Sequence, residues 1–255
     1  MPGIVTAAAR ARHDPGVVLW VVAGACWVVT AWLVLTGPAG GHHGAAGAAP
    51  SAWPALLAVW LVMIGAMMLP TVVPVVRMFE VVTARAPRPA AARVAFLAGY
   101  LAVWLAFAAL ALLGDIAVDA LVAAWAWLSA RSGLVLGSAL LLAGAVQFSP
   151  LKDACLTACR NPVAFLWQHY RRGAAGAWRL GLRHGLSCLG CCWALMLVMV
   201  ATGVGSLVWM VGLTVVMVVE KTARRGARLV APVGIVLLVA GASLTLSALL
   251  APASS

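Results

Sequence analysis

The chain has 255 residues, of which 65% are hydrophobic and only 9% charged, with a formal net charge of +11. Soluble domains carry about 25% charged residues, so this composition excludes a soluble globular fold and predicts an all-α integral membrane protein. The positive balance reads as basic loops anchoring one membrane face, and no nucleic-acid partner is expected.

The long apolar runs show no two-residue alternation, which favours spanning helices over barrel strands. Seven spans are expected, over roughly 17–36, 53–77, 94–114, 133–149, 185–203, 206–220 and 229–250. Arg10 and Arg12 precede the first run, as they would a signal peptide. That run is too long for one, and no small-residue cleavage site precedes Pro38. The Gly/Ala-rich segment 37–52 then reads as a flexible outer loop, with His42 and His43 solvated. It closes an N-terminal unit, 1–52, and a transmembrane helical domain, 53–255, follows. In the second span Pro70 and Pro74 are expected to break the helix just past Met63, Met67 and Met68. Segment 116–130, with Trp125 and Trp127, fits an interfacial stretch or, alternatively, an extra half-span that returns to the same side. Segment 161–184 fits a basic amphipathic helix on the inner leaflet, interrupted at Gly173 and Gly176.

If the spans alternate, four basic groups fall on one side: Arg10 and Arg12; Arg77, Arg85, Arg88 and Arg93; Lys152 through Arg183; and Lys221 through Arg228. The other side keeps Arg131, with Asp115 and Asp119. This asymmetry predicts a cytoplasmic N-terminus.

Five of the six cysteines fall in two motifs, Cys155-Leu-Thr-Ala-Cys159-Arg and Cys188-Leu-Gly-Cys191-Cys192-Trp. On a helix Cys155 and Cys159 share a face, as do Cys188 and Cys192, with Cys191 one turn from Cys188. Ser149 and Pro150 supply a cap and a first helical position for the first motif. The face of Cys188 and Cys192 continues to Met196 and Met199, and His184 precedes Cys188 by one turn. Both motifs should lie near the inner face, so their thiols can converge. Thiolates and thioethers are soft donors that favour Cu(I), with zinc a second fit for the thiolates. A lone cysteine such as Cys26 is expected only to pack.

Glu220 is placed to approach Lys152 from the same side, and Gln147 should face the bundle interior. No phosphate-binding loop and no His-Glu-x-x-His helix occurs, and six acidic residues leave little scope for carboxylate chemistry. Binding is therefore expected rather than catalysis.

Several runs resemble one bacterial family. They are Met63-x-x-x-Met67-Met68-Leu69-Pro70, Ser149-Pro150-Leu151-Lys152 with Cys155 and Cys159-Arg160, Gly181-x-x-x-Gly185-x-x-Cys188-x-Gly190-Cys191-Cys192-Trp193-x-Leu195-Met196, and Glu220-Lys221. The family is that of predicted metal-binding integral membrane proteins, domain of unknown function 2182, and the resemblance covers roughly 53–250. It implies a polytopic helical domain of the bacterial plasma (inner) membrane with a metal site. Similar sequences tend to carry methionine where this chain has Gly205, and a proline after Lys221 that this chain lacks. The leading expectation is a Cu(I)-handling protein. Cys155, Cys159, Cys188, Cys191 and Cys192 would form the site, with Met67, Met196, Met199 and His184 as further ligands and a metal-donor or acceptor protein as partner. The alternatives are a membrane thiol-disulfide oxidoreductase and a non-catalytic partner subunit.

Overall fold

The structure is a computed structural model that describes residues 15–36, 53–131, 133–202 and 206–250. Loop 37–52 with its histidine pair, Arg10, Arg12 and Gly205 lie outside the described residues. Those residues form helices and no strand. In chain order they are α1 Pro15–Thr36, α2 Trp53–Thr83, α3 Pro89–Ala124, the short α4 Ala126–Ser129, α5 Gly133–Gln147, α6 Pro150–Arg160, α7 Pro162–His169, α8 Ala174–Ala201, α9 Leu207–Thr222 and α10 Val230–Leu250. A 3-10 turn, Gly226–Leu229, leads into α10.

Five helices are long and apolar enough to cross a membrane, or six if α5 and α6, bent by 66° at Phe148-Ser149, count as one broken span. The expected sixth span, α9, has 16 residues. At 1.5 Å per residue that is about 24 Å, short of a hydrocarbon core of roughly 30 Å.

Three element boundaries differ from the expectation. Helix α2 does not break at Pro70 and Pro74 but runs through both to Thr83. Each proline removes one N–H donor, which a helix packed among neighbours tolerates. Helix α3 does not stop near residue 114. No proline follows Pro89 until Pro150, and the helix runs for 36 residues until Trp125 takes an extended backbone. Most of the supposed interfacial segment is thus the end of α3. Of the supposed inner-leaflet helix, only α7 is separate. Gly173, the one described residue with positive φ (84°), makes the break. Gly176 does not interrupt; it lies inside α8, where an added Cβ would strike the Arg171 carbonyl.

Close contacts fix the helix directions. Gly16 lies against Arg77 and Gly65 against Cys26, so α1 and α2 are antiparallel. Met68 meets Tyr100 and Phe79 stacks on Phe96 at 5.1 Å, so α2 and α3 are antiparallel. Gly181 sits on the Phe96 backbone and Gly185 on Tyr100 and Val103, so α3 and α8 run parallel at backbone contact. Gly133 meets Ala248, and Gly144 meets Leu238, so α5 and α10 are antiparallel. These directions are those of alternating spans. The C-terminal ends of α2, α5 and α9 and the N-terminal ends of α3, α8 and α10 then share one end of the bundle. The described basic groups gather there: Arg85 and Arg88 border one cleft with Arg171 and Arg172, and Arg160 reaches the chain at 220–224.

Candidate functional site

The site is built where α6 crosses α8. Ser149 caps α6 as expected, its hydroxyl accepting from the Lys152 N–H at 3.1 Å, with Pro150 in the first turn. The cap and the bend after α5 lay α6 across α8 instead of letting it continue outward. Contact is close because Gly190 has no side chain: a Cβ there would sit 2.5 Å from Cys155 Sγ. One turn on, Cys159 follows on the same face of α6. The two cysteine motifs therefore meet.

Cys188, Cys191 and Cys192 are buried, whereas Cys155 and Cys159 are half-buried and form the accessible side. All are free thiols. The sulfurs of Cys191 and Cys192 both donate to the Cys188 carbonyl at 3.0 Å. This backbone pairing holds them along their own helix, and among the described residues no three His, Cys, Asp or Glu side chains are disposed around a common point for an ion. The donor chemistry suits a soft cation, but ligation requires rotation of Cys191 and Cys192 away from that carbonyl.

Three polar side chains that sequence reading left out touch Cys188. Lys221 Nζ donates to Cys188 Sγ at 3.1 Å and to Cys192 Sγ at 3.5 Å. Tyr100 Oη lies 3.4 Å and Thr71 Oγ1 3.9 Å from Cys188 Sγ. Tyr100 and Lys221 are buried. A lysine at a helix end ordinarily extends to the headgroups. Here the neighbouring Glu220 is tied down. It accepts from Lys152 Nζ at 2.7 Å and from Gln147 Nε2 at 3.3 Å, and both members of the ion pair are 2% exposed. Arg160 completes the clamp by donating to the carbonyls of Glu220, Ala223 and Arg224 at the C-terminal end of α9. Fixed from both sides, α9 directs Lys221 inward. The expected approach of Glu220 to Lys152 and the inward position of Gln147 are both found.

His184 is buried among the rings of Phe96, Tyr100 and Phe165, with centroids 6.1, 5.8 and 5.3 Å away. Its Nδ1 has no hydrogen-bond partner among the described residues. Met67, Met196 and Met199 are buried, as are Met63, Met68, Met210 and Met217. Met196 and Met199 lie one and two turns beyond Cys192 on α8, so this helix passes from thiol to thioether along its buried face.

Fold and site define an all-helical bundle of apolar, span-length helices with soft donors meeting between two of them. The chain belongs to the PpoB2 family, described as copper chaperone, which matches residues 57–244. The match contains all five motif cysteines and Lys221. No curated protein and no solved structure matches the chain.

Proposed function

We propose that the chain is an integral protein of the bacterial plasma membrane that binds Cu(I) and passes it to an acceptor protein. Cys159, Cys188, Cys191 and Cys192 would hold the ion, with Cys155 at the entrance. Met67, Met196 and Met199 would provide thioethers, and His184 has a free Nδ1 one turn from Cys188. The observation that carries the reading is the meeting of the Cys155/Cys159 helix with Cys188–Cys192, in a chain of a copper-chaperone family. The motif resemblance to domain of unknown function 2182, over roughly 53–250, spans nearly the same residues as the family match and supports taking the two as one. Residues 53–255 would be the metal-handling unit, with 1–52 adding a peripheral span and loop. The short α9, with the residues flanking it, would cross and complete a seven-span path with a cytoplasmic N-terminus.

The chemistry needs few parts. A Cu(I) ion supplies a low-coordinate centre for two or three thiolates. Rotation of Cys191 and Cys192 from the Cys188 carbonyl frees those sulfurs, and the Lys221 ammonium balances the anionic thiolates in a dry site. Because the half-buried Cys155 and Cys159 lie between solvent and the buried thiols, thiol exchange through them is a route in or out. Zinc is the alternative ion for four thiolates. Copper and zinc content of detergent-purified protein, wild type against Cys188→Ser, tests the reading: copper near one equivalent should fall several-fold in the variant.

Lys221 beside Cys188 also favours a second reading, a thiol-disulfide oxidoreductase, since a neighbouring cation activates a thiolate. A metal-free protein that yields a reducible Cys188–Cys191 or Cys155–Cys159 disulfide would establish that reading in place of the first.

A further inference from the structure

We infer that the chain binds one anionic phospholipid between the α2–α3 loop and the hinge joining α7 to α8. Its phosphate would lie among Arg85, Arg88, Arg171 and Arg172, and an acyl chain against Val82 and Trp167. The inference rests on the membrane reading above.

Two adjoining hollows make the groove. The first, about 820 Å³, is bordered by the four arginines and by Gly173 and Ala174 at the start of α8. No Asp or Glu lines it. The nearby Glu80 is engaged by Arg93 at 3.2 Å, and among the described residues none of the four guanidinium groups has an ion-pair partner. Helix α8 begins there with no side-chain cap, so its first N–H groups add donors to the same place. Like charges gathered round a hollow repel one another unless an anion enters, and guanidinium forks match phosphate oxygens. The second hollow, about 410 Å³, is lined by Met78, Val82, Val163, Leu166, Trp167 and Tyr170, none of them charged. Val82 and Tyr170 line both hollows, so basic and apolar parts are continuous.

Position agrees with lining. The groove opens where α2 ends and α3 and α8 begin, at the end that collects the basic loops. Just before that end Val81 and Val82 are exposed, and Trp167 is 90% exposed. Such side chains belong against lipid tails and at the interface, with arginines at headgroup level. A free phosphate satisfies only the basic half, and an acidic peptide leaves the apolar half uncovered. A phospholipid with an anionic head fits both.

The test uses the full chain in neutral detergent, with bound lipid counted by native mass spectrometry. Phosphatidylglycerol should be retained at one per chain and phosphatidylcholine of the same acyl chains at least about tenfold more weakly, given the four uncompensated charges. Inorganic phosphate at equal concentration should not displace the lipid. The Arg88→Gln/Arg171→Gln variant should weaken phosphatidylglycerol roughly thirtyfold for two charges, and Trp167→Ser should weaken it too. Arg225→Gln, outside the groove, should leave it unchanged. Equal retention of phosphatidylcholine, displacement by phosphate or by a polyglutamate peptide, or full retention by the double-arginine variant would overturn the assignment. If that variant does not fold, the exposed Trp167→Ser and the wild-type lipid comparison decide. Extraction of the chain from cells without detergent would instead overturn the membrane reading, so the two failures are distinguishable.

Discussion

Cys188 is the residue on which the proposed site turns, because its sulfur accepts from the Lys221 ammonium and its carbonyl from the thiols of Cys191 and Cys192. Serine keeps the size of cysteine but not its soft sulfur, so Cys191→Ser and Cys159→Ala should each lower copper per chain several-fold in detergent-purified protein. Cys26→Ala should not, since Cys26 lies on α1 against Gly65, away from both motifs. Unchanged copper in the two motif variants would remove them from the site. Lys221 makes a sharper prediction. Among the described residues it is the one cation hydrogen-bonded to a thiol, and a copper-thiolate centre buried without a counter-charge is strongly disfavoured. Lys221→Met should therefore reduce copper retention about tenfold or more, and Lys221→Arg should recover part of it. Copper titration against a chromogenic chelator reads both. The sequence marks Lys221 only as half of the Glu220-Lys221 run and gives it no place among the ligands, because a lysine at the end of an apolar run ordinarily points to the headgroups. Its inward course is set by Gln147 on α5 and by Lys152 and Arg160 on α6, which hold Glu220 and the end of α9 from two other parts of the chain.

At the scale of elements, helix α6 does most to shape the site, and it was largely legible. Ser149-Pro150 marks its start, and the four-residue spacing places Cys155 and Cys159 on one face. The meeting with α8 followed from counting apolar runs, since both motifs fall at the same end. Punctuation was less legible. Pro70 and Pro74 look like breakers and are carried inside α2, and of Gly173 and Gly176 only the first breaks the chain. A glycine marks either a positive φ or a close approach, and only the fold tells which. Gly190 is of the second kind, so Gly190→Val should push α6 from α8, lower copper content and raise the alkylation rate of Cys155 while the bundle stays folded. Lys152→Met has the opposite signature. It leaves Glu220 charged and buried without its partner, a loss of about 3–5 kcal/mol, so the thermal transition should fall markedly before any effect specific to copper is seen. A Lys152→Met protein as stable as wild type would show that the pair contributes little.

The whole molecule places its thiols and its charge at related depths. Helices α2, α3 and α8 continue beyond the level of Cys188 to the basic end, whereas α5 and α9 stop near it at Gln147 and Thr222. The shorter pair leaves room that α6 and α7 fill from the basic side, so the buried cysteines lie inside the bundle toward that end. If the basic end faces the cytoplasm, as the charge asymmetry predicts, the half-buried Cys155 and Cys159 open toward cytoplasmic donors and the methionines lie toward the outer face. The antiparallel contacts of α1 with α2, of α2 with α3 and of α5 with α10, with α8 parallel to α3 and Lys221 at Cys188, put residues 88 and 225 at one end of the bundle and the end of α1 at the other. Single cysteines introduced at these places in a chain lacking its native ones, or reporter fusions there, should report positions 88 and 225 inside and position 45 outside. Labelling should be by a membrane-impermeant reagent on intact cells and on inverted vesicles. Agreement of 88 and 225 on the outer side would keep the bundle and reverse its orientation, turning the thiol entrance outward. Opposite sides for 88 and 225 would mean that α9 does not pair with the broken α5–α6 span across the membrane, and the seven-span path would fall.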